Sequence, residues 1–410
     1  MKGLEVRGKR ILGLVALVLT VQATAGLATA ASATLRERLD RALTVQGVSR
    51  AATGALAINL VNGRTVYGLH ASRSLEPASN QKLTVGLTAF DRLGLTYRVR
   101  TNVFGVGSQS GTVWRGRLVL KGYGDPSLSR RDLRTLARRI RDLGIRKITG
   151  RIVGDESYYD LRRTCPGWKP SWYKVESPPL SALVVARARV GTRTVDNPAR
   201  AAAVAFKAAL EAKGVDVVRA TRLGTTPDTA IRLTGVKSGR LSALVRHMLK
   251  VSDNFYAEML LKHLGAKMRG AGTTHAGTRV VRAVLRRRGV PLTGVRLADG
   301  SGLSRYDRLT ARAIAALLIS AWSDADVKSA FVASLPLAGV DGTLEDRLER
   351  EPAYRTVRAK TGTTSTASAL SGFAGTRYVF SILQNGHPIP WWYARQAQDR
   401  FAQILAGAAS

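Results

Sequence analysis

The sequence predicts a mixed α/β (α+β) chain in which a smaller domain is inserted into a larger one. Three observations predict this. Residues 52–70 alternate apolar and polar around Asn62-Gly63, and residues 367–375 and 378–384 form a second strand pair ending at Asn385-Gly386, so strands lie near both ends of the chain. Long helical patterns occupy 198–213, 241–264, 278–288, 310–320 and 390–408. Between about 101 and 190 the texture changes: strand-like runs at 112–121 and 148–154 accompany one very basic helix, 130–147, and a Pro/Trp-rich loop, 166–179.

The first residues read as an export signal. Lys2, Arg7, Lys9 and Arg10 precede an apolar stretch from 11 to 19, and a small-residue run follows in which both Ala28-Thr29-Ala30 and Ala31-Ser32-Ala33 suit signal-peptide cleavage. The expected signal peptide is residues 1–33, cut near 30–33. An uncleaved anchor is the other reading of 11–30, against which Thr20, Gln22, Thr24 and Thr29 weigh. Either reading puts the body outside the cytoplasm, in a periplasm or at an extracellular cell wall.

Behind the signal the composition is globular: 410 residues, 45% apolar and 22% charged, with 40 Gly and 13 Pro, which excludes disordered, collagen-like and proline-rich classes. Lys and Arg number 64 against 28 Asp and Glu, a net charge of +36, and removing residues 1–30 leaves +33. That balance favours an anionic partner. The basic residues crowd predicted helices as solvated faces, without the basic-aromatic interleaving of single-strand binders, so nucleic acid is not expected and anionic wall polymers are. Cys165 is the only cysteine, and His70, His247, His263, His275 and His387 lack metal-ligand spacing, so neither a disulfide within the chain nor a metal is expected.

After the first hairpin, a linker over 71–78 leads into a helix opening at about Ser79, with Leu83, Leu87 and Phe90 on one apolar face. Ser79-Asn80-Gln81-Lys82 places a hydroxyl and an amine three residues apart on that helix, where they share a face. A lysine in a dry site near a second cation loses its proton readily and becomes a base for the serine. The same spacing recurs at Ser171 and Lys174, in a loop without a helix to align the pair. Two triplets separate these copies. Ser252-Asp253-Asn254 supplies a hydroxyl to relay a proton and an amide to hold Lys82 and a substrate amide. Lys360-Thr361-Gly362 supplies a point charge for a carboxylate, which would also depress the pKa of Lys82, and a glycine that lets a substrate backbone lie against an edge strand. Thr363 can offer its N–H, with that of Ser79, to an oxyanion.

The order S-x-x-K, S-x-N, K-T-G is the signature of penicillin-recognising serine acyl-transferases. The flanking phrases resemble the D-alanyl-D-alanine carboxypeptidase/endopeptidase family of low-molecular-mass penicillin-binding proteins, peptidase family S13, which includes the penicillin-binding protein 4 (DacB) type. Among them are Gly122-Tyr123-Gly124-Asp125-Pro126-Ser127-Leu128, Gly154-Asp155-Glu156-Ser157-Tyr158-Tyr159-Asp160, Asp299-Gly300-Ser301-Gly302-Leu303-Ser304-Arg305 and Leu335-Pro336-Leu337-Ala338-Gly339-Val340-Asp341-Gly342-Thr343-Leu344. The resemblance implies a transpeptidase/β-lactamase-like domain, an antiparallel sheet flanked by helices, over 34–100 and 191–410, with an inserted accessory domain over 101–190. Members usually carry two inserted domains, so one is expected to be missing or reduced here.

It further implies acyl transfer to water from peptidoglycan stem peptides, or cleavage of D-amino-acid cross-links, with β-lactams as ligands and no cofactor. Ser79 would attack, Lys82 would take its proton, Ser252 would relay, and Lys360 would hold the terminal carboxylate beside Asn254, Thr361, Gly362 and Thr363. Asp155 and Arg305 would bind the amine and carboxylate of the stem peptide's third residue, beside Thr364. A β-lactamase shares the acyl-serine, but no E-x-x-L-N-like segment is present and Ser252 stands where class C enzymes carry tyrosine. A non-catalytic wall-binding protein is the other alternative.

Overall fold

The computed structural model describes residues 33–409, so the expected signal peptide lies outside the described residues except for Ala33. Helix α1 (Leu35–Leu43) opens on a capping box between Thr34 and Glu37. Strands β1 (Thr53–Asn59) and β2 (Thr65–Leu69) form the hairpin expected around Asn62-Gly63, where Gly63 takes φ +70. A 3-10 turn, Ala78–Asn80, leads straight into α2 (Gln81–Leu93).

The inserted unit follows. It comprises β3 (Arg100–Ser110), β4 (Val113–Gly122), α3 (Arg130–Asp142), β5 (Lys147–Ile148), β6 (Ile152–Asp155), β7 (Arg189–Val190), β8 (Arg193–Thr194), α4 (Pro198–Glu211), β9 (Asp216–Val217), β10 (Arg222–Leu223) and β11 (Ile231–Lys237). Its sheet runs β10-β6-β4-β3-β11, with β5 beside β4 and β9 beside β5. Leu136 and Ile140 of α3 and Phe206 and Leu210 of α4 share a core with Leu118 and Leu120 of that sheet.

The expected limit at residue 190 therefore cuts this unit. Helix α4 and strands β9, β10 and β11 all belong to it, and the chain leaves it only after Lys237. Two-residue strands leave no alternation to read, and α4 has the same apolar period as the helices beyond it. The segment 180–183 is buried but joins no sheet.

Beyond the insert come α5 (Leu241–Lys250), α6 (Asn254–Arg269), α7 (Thr274–Arg287), α8 (Ala311–Trp322) and α9 (Ala325–Ser334). The helix expected over 241–264 is thus two. Ser252 sits at φ +60, and the Asp253 carboxylate accepts from the Tyr256 N–H to start α6. The chain closes with β12 (Val357–Thr363), β13 (Ala367–Ala374), β14 (Tyr378–Asn385) and α10 (Trp391–Ala409).

These strands and the first hairpin form one antiparallel sheet, β12-β13-β14-β1-β2, with β12 at its edge. The two-residue period sends Ala369, Phe373, Val379 and Leu383 toward the helical layer α2 and α5–α9, while Leu370, Ala374, Phe380 and Ile382 pack on α1 and α10. Helix α2 lies inside that layer. Every residue from Gln81 to Phe90 is buried, rather than one face alone, so Lys82 points into protein whichever way it turns.

Candidate active site

Ser79 sits in the 3-10 turn ahead of α2 and is partly exposed between buried neighbours. The preceding Ala78 is held at φ +45, and Gly302, itself at φ +82, is what permits this turn. A Cβ on Gly302 would lie 1.8 Å from the Ala78 carbonyl oxygen. Gly362 of β12 presses on the turn from the other side, its Cβ position 3.0 Å from the Ser79 nitrogen. Both glycines are steric requirements of the serine's position.

The Lys82 side chain is wholly buried, and its Nζ has three oxygen neighbours: Ser79 Oγ at 2.8 Å, Asn254 Oδ1 at 2.7 Å and the Ser301 carbonyl at 2.7 Å. A neutral amine has two N–H groups and one lone pair. Asn254 and Ser301 take the two N–H groups, which leaves the lone pair facing the Ser79 hydroxyl. Burial lowers the Lys82 pKa to about 8, against the opposing pull of Asp299, Glu258, Asp253 and Glu176. The basic form is thus accessible near neutral pH, in the geometry of a general base.

Lys360 is also wholly buried. Its Nζ donates to Ser252 Oγ at 3.0 Å and to the Thr361 carbonyl at 2.8 Å. Burial, then the like charge of Lys82, pushes its pKa well below the usual lysine value. Asn80 Nδ2 donates to the Lys360 carbonyl at 3.2 Å, and Thr361 Oγ1 donates to Thr343 Oγ1 at 2.7 Å, tying β12 to the serine turn and to the 3-10 turn Gly342–Leu344 before it. Thr363 ends the strand exposed, its Oγ1 accepting from Arg395 at 3.2 Å.

The structure thus gathers Ser79, Lys82, Ser252, Asn254, Lys360, Thr361, Gly362 and Thr363. Asp155 and Arg305 make no side-chain bond to this group. Asp155 is fully buried in the insert, its oxygens engaged by the Ser157 N–H, the Thr226 N–H and hydroxyl, and Lys121. Its carboxylate is held inside the insert and makes no bond to the Ser79 group. Arg305 is exposed, its guanidinium 5.7 Å over the Tyr306 ring, and no partner of it belongs to the Ser79 group. Thr364 is occupied in its own turn, accepting from the Ala367 N–H at 3.0 Å.

Sequence reasoning missed the support beneath Lys82. Glu258 Oε1 accepts from the N–H groups of Gly300 and Ser301 at 3.0 and 2.7 Å, fixing the carbonyl that Lys82 uses. Asp299 accepts from the Gly302 and Ser304 N–H groups and from Trp168 Nε1. Burial and the Asp299 charge raise the Glu258 pKa to about 7. The signal was present in two places: Glu258 is four residues from Asn254 on α6, hence on the same face, and Asp299 opens the phrase read only as family resemblance. The Pro/Trp-rich loop also reaches the site, where the Glu176 carbonyl accepts from Asn254 Nδ2 at 3.0 Å.

The model of the D-Ala-D-Ala carboxypeptidase 3 (S13) family matches residues 35–194 and 185–407, nearly the whole described chain. The chain belongs to this family. A D-alanyl-D-alanine carboxypeptidase of Actinomadura sp. (strain R39) is 32% identical over 91% of this chain and 84% of its own length. Carboxypeptidase DacB of Mycolicibacterium smegmatis is 28% identical over 88% of this chain and 84% of that protein. Among solved structures, penicillin binding protein 4 of Haemophilus influenzae superposes with a TM-score of 0.79 at 22% identity, covering 90% of this chain and 98% of that one, which shows the shared fold. The S13 chain is thus a serine-peptidase-family hydrolase with the penicillin-recognising fold. The Actinomadura alignment spans 462 positions against a chain of 410, so that relative has segments without counterpart here. The two family matches overlap at 185–194.

Proposed function

We propose that the chain acts as a serine-type D-Ala-D-Ala carboxypeptidase and endopeptidase on peptidoglycan stem peptides and cross-links, with Ser79 as nucleophile and Lys82 as its base. The observation that carries the assignment is the Lys82 amine, with two N–H groups engaged and its free valence on the Ser79 hydroxyl. Ser79 Oγ attacks the carbonyl carbon of the penultimate D-alanine while its proton passes to Lys82 Nζ. The N–H groups of Ser79 and Thr363 receive the oxyanion. Collapse breaks the peptide bond, and the proton taken up by Lys82 passes through Ser252, which Lys360 holds, to the departing amine, leaving Lys82 neutral. Water then gives a proton to Lys82 as it attacks the acyl-serine, and that proton returns to Ser79 Oγ as the shortened peptide leaves.

Lys360 is buried and already bonded to the Ser252 hydroxyl and the Thr361 carbonyl, so its part with the terminal carboxylate is to polarise the Ser252 hydroxyl rather than to meet the carboxylate as an open charge. Thr361 and Thr363 present the contacts. β-Lactams acylate the same serine. Export by the N-terminal segment and retention on anionic wall polymers through the positive charge belong to the same reading, as does the loss of one accessory domain, which removes whatever wall contact that domain provides in longer relatives. Labelling with a fluorescent penicillin tests the core of it: wild type takes the label and Ser79→Ala does not. Unchanged labelling of that variant would reject Ser79.

A further inference from the structure

Three consecutive aromatic residues begin α10, and all are exposed: Trp391 at 47%, Trp392 at 59% and Tyr393 at 47%. Aromatic residues are 6% of this chain, so three adjacent rings left in water mark a contact surface rather than chance. Their place in the fold says what touches them. Arg395 lies 4.6 Å over the Trp391 ring and donates to Thr363 Oγ1 at 3.2 Å, so the ridge joins the end of the strand that presses on Ser79. The Ile389 N–H, two residues before Trp391, donates to the Ser365 carbonyl at 3.1 Å and fixes the ridge to the turn after that strand. Trp391 and Trp392 stand edge to face, centroids 6.1 Å apart, presenting two ring faces at different angles.

We propose that this ridge is a saccharide platform, which receives the sugar to which a stem peptide is attached while the peptide itself occupies the Ser79 groove. The inference rests on the carboxypeptidase reading and names the substrate as glycan-linked rather than free peptide. Amphipathic rings held rigid beside an acyl site suit the apolar faces and polar edges of N-acetylated sugars. A membrane surface fits the same ridge less well. Docking on anionic lipid calls for cations ringing the aromatics, whereas the cation of this helix turn, Arg395, is turned inward to Thr363.

The test compares one pentapeptide in two forms, free and linked to the N-acetylated amino-sugar disaccharide, for wild type and Trp392→Ala. Trp392 is the most exposed of the three rings, so its loss spares the fold. Wild type should show a kcat/KM higher for the linked form by about two- to tenfold, carried by KM, and Trp392→Ala should remove that preference with free-peptide turnover unchanged. Equal wild-type rates on the two forms, or equal losses on both in the variant, would overturn the platform. Inactivity of wild type toward both would instead overturn the carboxypeptidase reading. In that case the platform is still read by titrating tryptophan fluorescence with the peptide-free disaccharide, which should change in wild type and much less in Trp392→Ala. Sedimentation with anionic vesicles that depends on Trp392, with no response to the disaccharide, would assign the ridge to a membrane and reject the proposal.

Discussion

The chain holds the Ser-x-x-Lys spacing twice, and the two copies have opposite surroundings. Ser79 and Lys82 stand where a 3-10 turn meets α2, the lysine wholly buried and 2.8 Å from its serine. Ser171 lies in a short 3-10 turn of the Pro/Trp-rich loop, and Lys174, at φ +65, turns to an ion pair with Asp196 at 2.7 Å and lies over the Tyr173 ring. Spacing alone made them equal. What differs is whether a helix aligns the pair, whether water is excluded, and whether the lysine's bonds leave its lone pair for the serine. Lys174 is paired with an acid and partly solvated. Lys82 has amide and carbonyl oxygens as neighbours, which accept from a neutral amine as well as from a charged one.

The sharpest break of the comparison is at the serines. Ser79→Ala should lower acylation by penicillin and stem-peptide turnover by about 10⁴-fold or more, the scale on which nucleophiles are lost. Ser171→Ala should leave both within twofold. Mass spectrometry of the adduct should place it on the Ser79 peptide; an adduct at Ser171 would reverse the assignment.

The lysines should differ almost as widely. Arginine keeps charge and length but does not give up its proton near neutral pH. Lys82→Arg should therefore cost about 10³-fold in acylation rate, within the range for general base catalysis, and Lys174→Arg very little. Stopped-flow acylation of the two variants measures this. Equal effects would mean that the buried amine serves only to fill space.

The pH dependence follows from the same contrast. With its pKa lowered to about 8, Lys82 is protonated below that value and has no lone pair for Ser79. Acylation should rise about tenfold per pH unit up to about pH 8 and then level. A rate already level at pH 6 would show that the proton goes elsewhere.

The comparison also explains how much could be read from sequence. The hairpin at Asn62-Gly63, the three motifs and their order were visible because short-range chemistry enforces them: an αL glycine in a turn, an i,i+3 pair, an edge strand next to a serine. The limits of the insert were not visible, since β9 and β10 have only two residues and draw their order from parallel neighbours distant in sequence. The break at Ser252 was hidden because helical apolar periods run on both sides of it. Asp155 was assigned by analogy of phrase, and only the structure shows its acceptors spent within the insert. Glu258 was overlooked for the opposite reason. A lone acidic residue inside an apolar helix carries no motif, and its meaning appears only when Gly300 and Ser301 fold against it.

Glu258 gives the smallest expected effect and the one most specific to the environment of Lys82. Its carboxylate does two things there. It accepts from the Gly300 and Ser301 N–H groups, and its charge, with those of Asp299, Asp253 and Glu176, raises the Lys82 pKa against burial. Lys360 faces the site from β12 with the opposite sign. Glu258→Gln separates the two roles, because an amide oxygen in the Oε1 position keeps both backbone bonds while the charge is lost. What goes is acceptance at Oε2, from the buried Cys165 thiol at 3.2 Å and from the shared Gly300 N–H at 3.1 Å. A carboxylate near an ammonium stabilises its charged form, so removing it lowers the lysine's pKa. The acid limb of the acylation profile should move to lower pH by a fraction of a unit, with the plateau rate within about threefold of wild type. Since Glu258 itself titrates at about 7, the displacement should be clearest above neutrality, where the wild-type carboxylate is charged. A purely structural role predicts a lower plateau with the limb unmoved. A limb that moved to higher pH would mean that Glu258 acts on Lys82 through geometry and not through charge, and the same substitution at Asp196, beside Lys174, should move nothing.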